Sequence, residues 1–225
     1  MIEESSSLMT SLRDFIVCGW YTPDYRVWWT RLRENLDNIG VPYDFVERAK
    51  TIGGWEINTM RKPHEVLSAM GRHPDKIIVF LDVDCRVPGG RQGLQELAAI
   101  RGDVAFFAIT KWSRRSFRPI YRARSGTMVF RPTKKARAFV EAWCKVGETA
   151  PRYAWDQDSM VVATGRVPGL SITYLDNKFC ATPEDECPDP VILHDRASTN
   201  AHTNKWIKKL DYMKRLLVGK CTSSR

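Results

Sequence analysis

The stretch KIIVFLDVDCRV, residues 76–87, sets the tightest limit on what this chain can fold into. Ile77, Ile78, Val79, Phe80 and Leu81 are β-branched, aromatic or bulky aliphatic, with no polar residue among them. A strand sends successive side chains to opposite faces, so such a run needs apolar cover on both. It is far too short to span a bilayer. Pro74-Asp75 before it and Pro88-Gly89-Gly90 after it punctuate both ends. The reading is a central strand with layers packed on each side. Asp82 and Asp84 then stand at its carboxyl end, on the same side of the chain. In open α/β sheets that edge is where ligands collect. Two adjacent carboxylates repel each other, and a divalent cation removes that cost; Mg²⁺ and Mn²⁺ favour hard oxygen ligands. The bland alternative is a pair of aspartates capping a turn after a buried strand.

The flanking sequence supports a layered α/β architecture. Residues 15–19 read as a first strand, and VWWTRLRENLDNIG as a helix closed by Gly40. PYDFVERA reads as a second strand, and a helix is expected from near Pro63. GLQELAAIRGD reads as a helix and VAFFAI as a fourth strand. This β-α-β-α-β-α-β order is that of a mostly parallel sheet with helices on both faces. Beyond it comes a basic segment, KWSRRSFRPIYRARS, read as a lid, a polyanion-binding surface or a solvated loop, ending in a strand at residues 127–130. KKARAFVEAWCKVG is a helix with Ala138 and Trp143 on its apolar face, and WDQDSMVVATG a short helix entered through Asp156. LSITYLDNKF and PVILHD are strands, and NKWIKKLDYMKRLL a basic closing helix.

With 225 residues, 43% hydrophobic content and eight tryptophans, the chain can build a sizeable core. No linker divides it, so a single domain over residues 1–225 is expected, ordered from about 12 to 215. The opening MIEESSSLMT has no basic or apolar region of the kind a signal peptide carries, and no transmembrane segment is expected. The cysteines, at 18, 85, 144, 180, 187 and 221, lack the paired spacing of a zinc site. They read as free thiols in a reducing, cytoplasmic setting, with Cys180 and Cys187 the one pair in question. A net charge of +9 favours anionic partners: nucleotides, nucleic acid, acidic glycans or phospholipid head groups.

Four segments, in order, resemble the GT-A glycosyltransferases, the nucleotide-diphospho-sugar transferases of the glycogenin-like and plant-wall galactosyl- and xylosyltransferase-like families. VFLDVDCRV resembles their DxD motif, SGTMVFRPT the strand that follows it, WDQDSMV their DQD segment, and VILHDRAST with the later NKW their late strand and histidine. The resemblance implies a GT-A fold, a Rossmann-like α/β/α sandwich. It also implies transfer of a sugar from a nucleoside diphosphate, UDP-linked in the first instance, to an acceptor, with Mn²⁺ or Mg²⁺ as cofactor.

It further implies roles residue by residue. Asp82, Asp84 and His194 are the metal ligands, Asp82 also helping to hold the nucleotide. Asp156 and Gln157 lie at the reacting face. Trp20, Tyr21 and Thr22 cradle base and ribose; Lys62 (with Arg61 beside it), Ser125, Gly126 and Lys205 face the donor. Each has an ordinary alternative: Asp156 as a helix cap, His194 as a satisfied strand-end histidine, Trp20 and Tyr21 as core, Lys62 and Lys205 as solvated helix-start lysines. His64, His73 and His202 read as surface residues. Where the family has Asn two residues before the glycine, this chain has Arg124, which could clamp phosphate or an acidic sugar.

The resembling families retain anomeric configuration, so the resemblance implies retention; with no carboxylate clearly placed as a covalent nucleophile, same-face attack is the expected course. The rivals are a metal-dependent phosphohydrolase, a non-catalytic nucleotide- or glycan-binding protein, and a transferase whose acceptor is nucleic acid. The phosphohydrolase motif opens on the first strand, whereas here the motif of Asp82 and Asp84 lies well inside the chain and continues into Cys85-Arg86.

Overall fold

The structure is a computed structural model that describes residues 14–51, 55–113, 117–150, 155–195 and 197. All elements below lie in one compact unit that ends at Asp195. The expected closing helix and Lys205 fall outside the described residues.

Strand β1 (Phe15–Tyr21) leads through a short 3₁₀ turn into α1 (Arg26–Ile39) and β2 (Tyr43–Glu47). Gly40 ends α1 with φ +62°, a left-handed backbone that glycine adopts without strain. Helices α2 (Trp55–Thr59) and α3 (Lys62–Arg72) precede β3 (Ile77–Leu81) and the two-residue β4 (Cys85–Arg86). Then follow α4 (Gly90–Ala99), β5 (Val104–Ser113), β6 (Arg118–Phe130), α5 (Lys134–Thr149), α6 (Asp156–Thr164), β7 (Ile172–Tyr174) and β8 (Leu193–His194).

Six strands form one sheet in the order β2-β1-β3-β6-β5-β7, and β4 pairs antiparallel with β8 beside it. Within the six, only β6 runs against the others. The uninterrupted apolar run of β3 is explained by its neighbours on both faces. Ile77, Val79 and Leu81 join the layer of α1 and α4, with Trp29, Leu32, Leu36, Leu94 and Leu97. Ile78 and Phe80 join the opposite layer of α3, α5 and α6, with Val66, Phe139, Trp143 and Met160. The α/β/α sandwich read from the sequence is thus the one formed. On α5 the buried small residue is Ala136 rather than Ala138, which lies only half-buried on the flank.

β6 enters the sheet between β3 and β5, antiparallel to both. The basic segment is no free loop: β5 runs on to Ser113, and β6 begins at Arg118 rather than at 127. Their pairing continues from Phe107↔Arg124 to Ser113↔Arg118. The hairpin has backbone partners along its length, which its charged and proline-bearing sequence hides. The ladder is interrupted once, where Phe106 pairs with Met128 but Phe107 pairs with Arg124. That skip leaves residues 125–127 without partners on β5, beside the end of β3.

Candidate active site

Four elements converge where the ladder skips. The end of β3 brings Asp82, whose backbone N–H donates to the Gly126 carbonyl at 2.8 Å. The start of α3 brings Lys62, the skipped part of β6 brings residues 125–127, and the first turn of α6 brings Asp156. The β4–β8 pair adds Asp84, Cys85 and His194, with Cys85 and His194 directly opposite one another.

At the centre is a buried ammonium. Lys62 is 5% exposed, and its Nζ lies 2.8 Å from Asp82 Oδ1 and 3.2 Å from Asp156 Oδ2. It also donates to the Ser125 hydroxyl at 3.0 Å and the Ser125 carbonyl at 3.2 Å. Burial alone would lower its pKa; the carboxylates of Asp156 and then Asp82 more than reverse this and hold it charged. Asp156, 3% exposed, accepts the Ser125 hydroxyl at 2.5 Å. The capping alternative for Asp156 fails on geometry. Trp155 is the cap, and its backbone N–H donates to Asp158 at 3.4 Å, so Asp158 supports the helix start. Gln157 lies half-exposed at the rim.

His194 is 8% exposed. Its backbone N–H donates to the Ala181 carbonyl at 2.8 Å, its Nε2 lies 2.8 Å from the Thr127 hydroxyl, and its Nδ1 lies 3.4 Å from Cys85 Sγ. Burial pulls its pKa down; Cys180 and Asp82 outweigh that and raise it. The Cys85 thiol is pushed well up by burial, then by Asp84 and Asp82. Ligand atoms of Asp84, Cys85 and His194 all come within 4.8 Å of one another. The carboxylates of Asp82, Asp84 and Asp156 thus gather near one ammonium, that of Lys62, and beside the imidazole of His194. Oxygen and nitrogen donors in such a group fit a divalent cation.

Gly126 is required by close approach. A Cβ there would lie 2.4 Å from His194 Cε1, 2.8 Å from Nδ1 and 3.1 Å from Asp82 Oδ2. Gly126→Ala is therefore expected to displace His194 and lower activity by roughly tenfold or more, since small misplacements at a reacting centre cost that much or more. Its thermal melt should shift by far less than its rate; an unchanged rate would refute the contact.

The remaining sequence candidates divide. Trp20, Tyr21 and Thr22 stand at the carboxyl end of β1, next to β3. The Tyr21 ring is stacked on Trp29, with centroids 5.5 Å apart, and the buried Thr22 hydroxyl bonds to Asp24. Arg61 turns away to the Ala49 carbonyl at 2.9 Å. Arg124, the residue that could clamp phosphate, is engaged with protein partners. Strand alternation puts Ala123 and Ser125 on one face and Arg124 on the other, where it bonds the Cys180 carbonyl at 2.8 Å and Asp185 at 2.9 Å. It stacks over Phe107 there and ties down the loop before β8. His73, read as a surface residue, is instead paired with Asp44 at 2.8 Å; His64 is exposed as read. Cys180 and Cys187 are both free thiols. Sequence reasoning passed over Cys85 and Thr127; the one available signal for Cys85 was its place directly after Asp84.

No protein-family model matches the chain, and no curated protein matches its sequence. Solved structures do match its fold. One is a glycosyltransferase involved in the glycosylation of the major capsid of PBCV-1, 14% identical, with a TM-score of 0.61, over 83% of this chain and 95% of that one. Another is the apo form of the glycosyltransferase GlyE of Streptococcus pneumoniae TIGR4, 12% identical, with a TM-score of 0.54, over 80% of this chain and 54% of that one. The fold is a GT-A-like glycosyltransferase fold.

Proposed function

We propose that this protein is a metal-dependent glycosyltransferase that moves a sugar from a nucleoside-diphosphate sugar, in the first instance a UDP-sugar, to an acceptor with retention of configuration. The observation that carries the reading is the gathering of Asp82, Asp84, Asp156 and His194 at the carboxyl edge of the sheet, in a fold shared with glycosyltransferases. Asp82, Asp84 and His194 are the residues that would hold Mn²⁺ or Mg²⁺. When bound, such an ion supplies charge neutralisation to a departing diphosphate.

The chain's own groups do the rest. Lys62 bonds Asp82 and Asp156 and holds them in fixed positions. Ser125 donates to Asp156 and so aims its second oxygen. Gly126 leaves room for the donor between Asp82 and His194. Asp156 and Gln157, on the first turn of a helix docked against β6, face the transferred sugar. A rigid set of charges of this kind accelerates by positioning and electrostatics, with no reorganisation during the reaction. We take the domain to be single, and we take the β5–β6 hairpin, with Trp112 and Tyr121 exposed, to flank the acceptor. Among the described residues no helix is long and apolar enough to cross a membrane.

The test is a screen of nucleotide sugars with Mn²⁺, scored by release of nucleoside diphosphate with and without acceptors. One donor should stand out, and excess chelator should abolish its turnover. Release of inorganic phosphate from simple phosphate esters, with no donor accepted, would favour the phosphohydrolase instead.

A further inference from the structure

Two clusters in the described residues join a cysteine, an aspartate and a histidine closely enough to share an ion: Cys18, Asp44 and His73, and Asp84, Cys85 and His194. The first is already neutralised. Asp44 carries Arg72 Nε at 2.7 Å and His73 Nε2 at 2.8 Å on the same oxygen, so it has no charge left over to hold a cation. The second lies among the carboxylates gathered at the sheet edge. Its cysteine is fully buried at 0% exposure and has no counterpart in the hard oxygen-and-imidazole set expected for Mn²⁺.

The geometry of that cysteine is specific. Cys85 and His194 face each other across the β4–β8 pair, and Sγ lies 3.4 Å from Nδ1 and 3.7 Å from Nε2. Bonds of about 2.3 Å to a thiolate and about 2.0 Å to an imidazole keep two such ligands within about 4.3 Å of each other, so small shifts would let the pair share an ion. The pair is held in place independently of any ion: Asp195 N–H donates to the Asp84 carbonyl at 3.0 Å, and His194 N–H to Ala181 at 2.8 Å. A second sulfur, Cys180 Sγ, stands 3.7 Å from His194 Nε2. The same Cys85–His194 distance also suits a thiol-to-imidazole hydrogen bond, so binding of a thiophilic ion is what separates the two.

We propose that Cys85 is a metal ligand, completing with Asp84 and His194 a mixed sulfur, nitrogen and oxygen site that takes Zn²⁺ or Co²⁺ more tightly than Mg²⁺ or Mn²⁺. This rests on the metal-dependent reading above and names the ion class it would favour. Thiolate is a soft donor and selects borderline ions over hard ones. Carboxylate and imidazole sites already follow the general order that places Co²⁺ and Zn²⁺ above Mn²⁺; a thiolate widens that gap and adds its own absorption signature.

The experiment is a Co²⁺ titration of the full chain under reducing, oxygen-free conditions, followed by absorption. Co²⁺ bound to thiolate gives an intense near-ultraviolet charge-transfer band; Co²⁺ on oxygen and nitrogen alone gives only weak visible bands. The wild type should show the charge-transfer band, displaced by Zn²⁺ at far lower concentration than by Mn²⁺. Cys85→Ala should lose the band and bind Co²⁺ at least roughly tenfold more weakly, since even residues behind the ligands are worth that much. Cys85→Ser keeps the size of the side chain and serves if the alanine variant melts early. Visible bands that vanish in Asp84→Asn, with no charge-transfer band, would overturn the cysteine assignment and leave the metal-dependent reading standing. A band that persists in Cys85→Ala would overturn it equally, placing the sulfur at another residue. Absence of any Co²⁺, Zn²⁺ or Mn²⁺ binding would remove both.

Discussion

Asp84→Asn is expected to lower donor turnover by about 10²–10³-fold while leaving the metal-free protein as stable as the wild type or slightly more so. The rate loss follows from removing a charged ligand, since metal stabilisation of a leaving group is worth several kcal/mol and each ~1.4 kcal/mol is tenfold. The stability result follows from electrostatics. Asp84 stands near Asp82 and within ligand distance of the buried His194. Asparagine keeps the size and hydrogen-bonding capacity of the side chain, and removing one of three neighbouring carboxylates lowers their mutual repulsion when no cation is present. The two proteins should then diverge on adding metal. A ligand that binds only the folded state, at ~100 times its Kd, stabilises by about 2.7 kcal/mol. The wild type should show that rise in melting temperature with Mn²⁺, and Asp84→Asn should not. His194→Ala should weaken the metal response less than Asp84→Asn, because an imidazole contributes no net charge. Full turnover of Asp84→Asn, or of the wild type in excess chelator, would end the metal-dependent reading.

Much of the site was legible because it lies on elements whose sequences are strongly patterned. The run at Ile77–Leu81 admits a doubly covered strand and little else, and that fixes Asp82 at the sheet edge. Gly40 marks the end of α1 for a reason visible in its backbone angle. The hairpin was not legible for equally concrete reasons. No Asn-Gly or Asp-Gly turn joins Ser113 to Arg118, and Pro119 argues against a strand interior. Its pairing is supplied by β5, a partner that local sequence does not reveal. The partners of Arg124 were not legible because the ladder skip changes which residues of β6 face the site, and a skip leaves no pattern to read. Lys62 and Cys85 illustrate a further limit. A helix-start lysine and a cysteine after an apolar strand each have a bland reading. Only the convergence of β3, β6, α3, α6 and the β4–β8 pair shows that one is a buried counter-ion and the other faces an imidazole.

The largest effect on stability is expected from Lys62→Met. Its ammonium is the group that bonds Asp82, Asp156 and the Ser125 carbonyl together, at 2.8, 3.2 and 3.2 Å. Methionine fills similar volume without charge. Removing one partner of a buried ion pair leaves the other uncompensated, at a cost of about 3–5 kcal/mol. Asp82 is partly open to water and can recover hydration, whereas Asp156 at 3% exposure cannot. The deficit of Lys62→Met against wild type should therefore come mainly from the stranded Asp156 carboxylate. The double variant Lys62→Met with Asp156→Asn removes both charges and keeps an acceptor for the Ser125 hydroxyl. It should recover most of the lost stability, with no catalytic turnover. Denaturant melts of the two single variants and the double measure this directly. A Lys62→Met protein as stable as wild type, or a double variant no better than the single, would show that the ammonium is not what holds the Asp156 carboxylate in its buried place.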